Sequence, residues 1–229
     1  MAREDFVLAP CLPEDIDQMI DVYLNAFKDD YFGSFTFPRS NIPEDEMYQW
    51  LRNRFLKTLR TPEYRCFKVT EVSTGRIGAW VRWQYPHTLS EEQKAEKKRE
   101  KEREEREKAE GKLQKWPRGA NLEVCDIKFG WLDRMREKNV DVENMYVILL
   151  LMTDPAYQRK GLANMLLKHG LALADAEGRK AYIEATPAGH PVYKKLGFQD
   201  IDVLSVDLSK WGGTKPGTNT IMLRDPQPV

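Results

Sequence analysis

The most apolar run of the chain, MYVILLLM at 145–152, is eight residues long and is followed at once by Thr153-Asp154-Pro155. Eight residues fall far short of the roughly 20 needed to cross a bilayer, so the run reads as a buried strand. Pro155 cannot donate to a sheet ladder, and pairing beyond it must stop or splay. The polar stretch TDPAYQRKGLA (153–163) then leads into NMLLKHGLALADA (164–176), which has helical apolar spacing. The amides at the start of that helix, from Gln158 to Ala163, have no intrahelical acceptors. With the positive end of the helix dipole they form an anion site suited to a phosphate or pyrophosphate. Gly161 lets backbone approach a ligand closely, Ala163 keeps the next contact small, and Arg159 and Lys160 add positive charge at the rim. A plain strand-to-helix connection is the alternative, and neither G-x-x-x-x-G-K-[ST] nor G-x-G-x-x-G is present.

Around this centre, FVLAP (6–10) reads as a first strand, and 13–27 as an amphipathic helix with Pro13 at its first position. Residues 28–41 read as an aromatic-rich loop, and a second helix runs from Pro43 to about Arg60. RCFKVTEV (65–72) and RIGAWVRWQY (76–85) make a hairpin. Further on, 122–139 reads as a helix, 181–186 as a strand, 190–198 as a short helix, 200–208 and 218–224 as strands, and 209–217 as a Gly-rich loop. This order suggests one mixed α/β domain, 1–229, around a twisted sheet.

Residues 91–112 hold nine acids and nine bases, with Ala95 and Ala109 the only apolar side chains, so the segment has no stripe to bury. It reads as a charged helical insertion at 88–116, braced by Glu100/Arg103, Glu102/Arg106 and Glu104/Lys108, with a partner-binding arm as the alternative. The chain carries 36 basic and 36 acidic residues, which removes the general electrostatic argument for nucleic acid or an anionic membrane. Three dispersed cysteines and three histidines off ligand spacing support neither a disulfide framework nor a metal site. The start lacks the basic-then-apolar plan of a secretory signal, so a cytoplasmic protein is expected.

Gln158-Arg-Lys-Gly-Leu-Ala163 matches the [QR]-x-x-G-x-[GA] signature of the GCN5-related N-acetyltransferase (GNAT) superfamily. Leu151-x-Thr153-x-Pro155 resembles that family's L-x-V-x-P strand end, and Val192-Tyr-Lys-Lys-Leu-Gly-Phe198 its L-Y-x-x-x-G-F segment. The resemblance is carried by about 145–198. It implies an α/β fold with a central, mostly antiparallel sheet, a splayed parallel pair and flanking helices. It implies that acetyl-CoA is the co-substrate, with the backbone of Leu151, Met152 and Thr153 pairing with the pantetheine arm. The pyrophosphate would lie on the segment Gln158, Arg159, Lys160, Gly161, Leu162, Ala163 and Asn164. No metal is implied; an amine acceptor is the expected partner, and a homodimer is possible.

Acetyl transfer to an amine needs a free lone pair, an oxyanion donor and a proton for the departing thiolate. The resemblance assigns the last role to Tyr193, and a strand-end N–H near Met152 is an oxyanion donor candidate. Glu184, a carboxylate within the apolar strand AYIEAT, is the candidate base, with Glu143, Asp154 and His190 behind it. The family's asparagine seven positions before the tyrosine is replaced by Thr186. The acceptor is expected at 28–41, with Tyr31, Phe32, Phe35 and Phe37, and at 209–217, with Trp211, where Asp29 and Asp30 would attract a cationic amine. A small primary amine is expected. The competing class is a non-catalytic CoA-binding or interaction module that uses the helix 91–112.

Overall fold

The computed structural model describes residues 5–111 and 115–228, excluding the side chains of residues 97, 104 and 108. In chain order, β1 (Phe6–Pro10) leads through a single 3-10 turn into α1 (Ile16–Ala26), α2 (Tyr31–Thr36) and α3 (Glu44–Arg60). The hairpin β2 (Tyr64–Glu71) and β3 (Ile77–Gln84) precedes α4 (Glu91–Ala109) and α5 (Leu122–Asn139). Then come β4 (Met145–Thr153), α6 (Leu162–Ala176), β5 (Lys180–Ala185), α7 (His190–Lys195), β6 (Gln199–Val206) and β7 (Gly217–Arg224).

The seven strands form one sheet in the order β1-β2-β3-β4-β5-β7-β6, antiparallel except for the parallel pair β4–β5. The parallel pair arises because α6 is the crossover between its strands. Helix α6 covers one face, where Leu162, Leu166, Leu167 and Leu171 pack on Val81, Trp83, Tyr146 and Ile148. Helices α1 and α3 cover the other face through Ile16, Met19, Ile20, Leu51 and Phe55 against Trp80 and Met152. Helix α5 continues that layer over Val147 and Tyr182.

The register of β4 against β3 slips by one residue: Arg82 faces Leu150 and Trp83 faces Ile148, leaving Leu149 as a bulge. Leu149 and Leu150 therefore both turn towards the α1, α3 and α5 layer, while Ile148 and Leu151 pack towards α6. Helix α6 lies close on β3, and a Cβ at Gly170 would stand 2.5 Å from the Trp83 ring.

The expected loop at 28–41 contains the helix α2, missed because YFGSFT has no helical apolar period and a central glycine. Asp30 caps it by accepting from the Gly33 N–H at 2.7 Å. The Tyr31 hydroxyl accepts from the Thr214 and Lys215 amides at 2.8 and 3.0 Å, fastening α2 to the β6–β7 connection.

Helix α4 is nearly all solvent-exposed, and its recorded tie to another element is Lys57–Glu100 at 3.0 Å. Its internal pairs include Glu91–Lys94, Lys98–Glu102 and Arg103–Glu107, so Glu102 takes Lys98 rather than Arg106 and Arg103 takes Glu107 rather than Glu100. The expected Glu104–Lys108 pair lies outside the described side chains. Among the described residues no helix is long and apolar enough to cross a membrane.

Gly170→Ala tests the α6–β3 contact. Alanine gains about 1 kcal/mol in helix propensity, but displacing the fully buried Trp83 costs about 1–3 kcal/mol. A net loss of up to about 2 kcal/mol is expected in chemical denaturation, and a stabilised variant would contradict the close approach.

Candidate active site

Pairing between β4 and β5 runs from Met145↔Lys180 to Ile148↔Ile183 and ends there, although β4 continues to Thr153 and β5 to Ala185. The strands part beside the Leu149 bulge, well before Pro155. At its far end β4 stays bound to β3: the Asp154 N–H donates to the Gly78 carbonyl at 2.9 Å, and Thr153 stands opposite Ala79. Antiparallel alternation then turns the N–H and C=O of Met152 towards Trp80 on β3. Those of Leu151 and Thr153 face the gap. The expectation that Met152 lends its backbone to a ligand thus passes to its two neighbours.

The gap opens into a cavity of about 750 Å³ that extends from the start of α6, through the parted strands, to the layer of α1, α3 and α5. Of the candidate ligand-holding residues, Leu151, Met152, Thr153, Gln158, Arg159, Gly161, Leu162, Ala163 and Asn164 line it. Lys160 does not. Its ammonium lies 4.7 Å from the centre of the Tyr157 ring and 5.8 Å from that of Phe6, outside the cavity wall.

The α6 start is built to leave amides bare. Gly161 is its N-cap, with φ 85°, and no side chain caps the helix. The first bond closed there is Met165 N–H to Gly161 carbonyl, 3.1 Å, so the amides of Leu162, Ala163 and Asn164 have no partner within the helix. Arg159 has φ 61°, the one positive value among described non-glycine residues. A left-handed Arg costs about 1–2 kcal/mol. A Cβ at Gly161 would meet nothing within 4 Å, so the left-handed turn, rather than crowding, is what asks for glycine there.

Tyr193, on α7, is buried, and it lines the cavity on the β5 side. Its hydroxyl makes no hydrogen bond with any described residue, and burial pushes the phenol well above its ordinary value. It holds its proton at neutral pH.

Glu184 lines the cavity just past the last β4–β5 pair. Its carboxylate accepts from the Arg136 guanidinium of α5 and from the Tyr182 hydroxyl at 3.2 Å. Burial raises the Glu184 carboxyl, with Arg136 opposing. The other candidates for the base are placed elsewhere or occupied. Asp154 accepts from the Ala156 amide and from the Asn25 side chain at 2.9 and 2.7 Å, and His190 pairs with Asp200 at 3.0 Å. Glu143 lies before β4, outside the cavity lining. The Thr186 hydroxyl reaches the cavity and accepts from the Gly189 amide at 3.3 Å.

Of the aromatics expected to meet an acceptor, Phe37 lines the cavity. Tyr31, Phe32, Phe35 and Trp211 instead pack on Val124, Leu204 and Leu208, and Asp30 is spent on capping α2. The acceptor-side wall comes from residues that sequence reasoning missed: Tyr23, Trp50, Arg54, Arg82, Trp116, Phe129, Asp133 and Arg136. Trp116 and Phe129 stack at 4.5 Å, with Phe37 5.7 Å from Trp116. The readable signal was Arg82, two residues after Trp80 on β3 and hence on the same buried face. Among the described residues, no group of three or more His, Cys, Asp or Glu is arranged to hold a metal.

Residues 126–207 match the family described as "Acetyltransferase (GNAT) domain". Comparison with curated protein sequences gives no match. The chain resembles a polyamine N-acetyltransferase of Drosophila melanogaster, at 16% identity over 96% of this chain and 100% of that one, TM-score 0.60. It also resembles a histone acetyltransferase HPA2-related protein of Corynebacterium glutamicum, at 17% over 98% of each chain, TM-score 0.55. A third is the PaiA N-acetyltransferase of Thermoplasma acidophilum in complex with coenzyme A, at 13% over 98% and 99%, TM-score 0.51. The parted parallel pair and the bare α6 start thus sit in an acyltransferase fold. Residues 126–207 match the GNAT acetyltransferase domain, and these solved structures share the chain's fold.

The burial of Tyr193 has a spectroscopic consequence. Tyrosinate absorbance gained between about pH 8 and pH 10 should be equal in the wild-type protein and Tyr193→Phe. A smaller gain in the variant would mean that this phenol ionises early.

Proposed function

We propose that the protein transfers an acetyl group from acetyl-CoA to the primary amine of a small molecule, by direct attack in a ternary complex. The observation that carries this reading is the pairing of two features in one cavity: a parallel strand pair that opens after Ile148–Ile183, and an uncapped helix start directly beside it. The proposed domain is the whole chain 1–229, with 88–116 an insertion whose last residue, Trp116, returns to the cavity wall.

In this reading the pantetheine arm pairs with Leu151 and Thr153, whose backbone groups face the gap. The amides of Leu162, Ala163 and Asn164 hold the pyrophosphate, with Arg159 at the rim. Lys160 contributes only to the general positive field. The amine loses a proton to Glu184, directly or through water, and its nitrogen forms a bond to the thioester carbonyl carbon. An N–H of Leu151 or Thr153 meets the developing oxyanion. The C–S bond then breaks, the thiolate takes the Tyr193 proton, and the surplus proton on the new amide nitrogen passes to the tyrosinate through solvent, restoring the phenol. A phenol kept protonated by burial suits that step, and a carboxyl raised by burial suits a base working near neutrality.

Gly161→Val forces a β-branched residue into a left-handed conformation and should weaken acetyl-CoA binding at least tenfold in calorimetry, with the fold intact by circular dichroism. Unchanged affinity would remove the phosphate assignment.

Tyr193→Phe should slow single-turnover acetyl transfer by about 10²–10⁴-fold, with acetyl-CoA affinity little changed. In the pH–rate profile the wild-type rate should rise with pH as Glu184 loses its proton, and Glu184→Gln should lose that acidic limb. A variant that keeps the limb would exclude Glu184 as base.

A further inference from the structure

The charges of the acceptor-side cavity are sorted by position. On α5 and β5, Arg136 bonds both Asp133, at 3.3 Å, and Glu184, so this cluster of one cation and two carboxylates is net negative. On α3 and β3, Arg54 and Arg82 line the same cavity with no carboxylate at ion-pair distance among the described residues, Asp133 acting on Arg54 only from longer range. Arg82 donates to the Thr58 hydroxyl at 3.1 Å and lies over the Tyr64 ring, and its buried Nε–H has no acceptor. Arg54 makes no hydrogen bond or ion pair there. Its guanidinium rests 5.3 Å from the centre of the Trp50 ring, open to the cavity. Two arginines facing one space repel each other, and burial together with Arg54 holds the Arg82 guanidinium down to about 10, still charged at neutral pH. For the half-buried Arg82, whose Nε–H is already without an acceptor, a ligand anion would offset the cost of desolvation, while the exposed Arg54 stays free to join it.

Between the two ends the walls are aromatic, formed by Phe37, Trp50, Trp116 and Phe129. A planar guanidinium offers paired donors that match a carboxylate.

We propose that the acceptor is a small amino-carboxylate with an apolar or aromatic body, its amine directed to Glu184 and Asp133 and its carboxylate to Arg54 and Arg82. This rests on the acetyl-transfer reading above and uses the same bond changes, with no further reactant. The amine end meets the net-negative cluster beside the strand gap, where the thioester would lie. The carboxylate end neutralises the unpaired arginines and satisfies the Arg82 Nε–H. A polycationic amine would place charge against Arg54 and Arg82 and gain nothing there.

The test compares kcat/KM across matched amines that differ by one carboxylate: phenylalanine against phenethylamine, tryptophan against tryptamine, with spermidine as the polycation. Each is measured with wild-type protein, Arg54→Gln and Arg82→Gln, after acetyl-CoA binding has been established by calorimetry. The wild type should prefer the carboxylated member of each pair. Each Gln variant should lose about 10- to 100-fold of that preference while still binding acetyl-CoA. Arg54 lies on the open side of α3, so its variant reports even if Arg82→Gln folds poorly. Equal or better turnover of the decarboxylated amines or spermidine, or an undiminished preference in Arg54→Gln, would overturn the proposal and leave acetyl transfer standing. So would turnover confined to amines without a carboxylate. Absence of acetyl-CoA binding by the wild type would remove the reading beneath it.

Discussion

The hydrogen bonds that β4 and β5 do not make organise the molecule. A parallel pair held to its end would seal the sheet and leave α1, α3 and α5 on one side of an unbroken wall from α6. Here pairing lapses after Ile148–Ile183, while β4 stays anchored to β3 as far as Thr153. Backbone groups left without partners inside a protein are costly, and those of Leu151 and Thr153 face the open gap. The Leu149 bulge belongs to the same device. It lets two consecutive leucines face the α1, α3 and α5 layer and so bends β4 away from its parallel neighbour.

The opening joins two electrostatic environments that a closed sheet would separate. At the α6 end the positive charge is fixed in the backbone, in amides that need no side chain to be satisfied and do not move. At the opposite end it is carried by guanidiniums held against Trp50, Tyr64 and Thr58. Between them sit Tyr193, neutral because it is buried, and Glu184, a carboxylate kept from full isolation by Arg136. A neutral phenol, a paired carboxylate and outlying cations thus occupy successive positions along one passage, bracketed by positive charge at both ends.

What was legible in the sequence was the local part. The run 145–152 announced a buried strand, Pro155 announced the end of its ladder with β3 though not the earlier parting from β5, and Gly161 announced a helix without a side-chain cap. The last two signals are short-range, since they depend on φ angles and on a missing N–H. The α2 helix was not legible, because Tyr31–Thr36 is set by a cap from Asp30 and by the Tyr31 hydroxyl reaching amides more than 180 residues away. The acceptor wall was illegible for a related reason: α1, α3, β3, α5 and the end of the charged insertion each supply only a few of its side chains. Arg54 looks like an ordinary polar position on an amphipathic helix until the fold shows what it faces. Lys160 errs in the other direction. Beside Gly161 it reads as part of the cradle, yet the left-handed turn at Arg159 and the face of Tyr157 draw it outside.

The charged segment illustrates how function can enter through a connection of little structural weight. Helix α4 buries almost nothing, and the entropic cost of a long connection grows only with the logarithm of its length. Lengthening the link between β3 and α5 is therefore inexpensive for the sheet. Its end is a different matter. The Trp50 indole donates to the Lys115 carbonyl at 3.1 Å, Arg118 bonds Glu46 at 3.0 Å, and Trp116 stacks on Phe129 in the cavity wall. Anchors to α3 on either side of Trp116 fix that ring while the helix before it stays solvated. Changes within α4 should thus leave the passage intact, whereas changes at residues 115–118 act directly on the space where an acceptor's apolar body would rest.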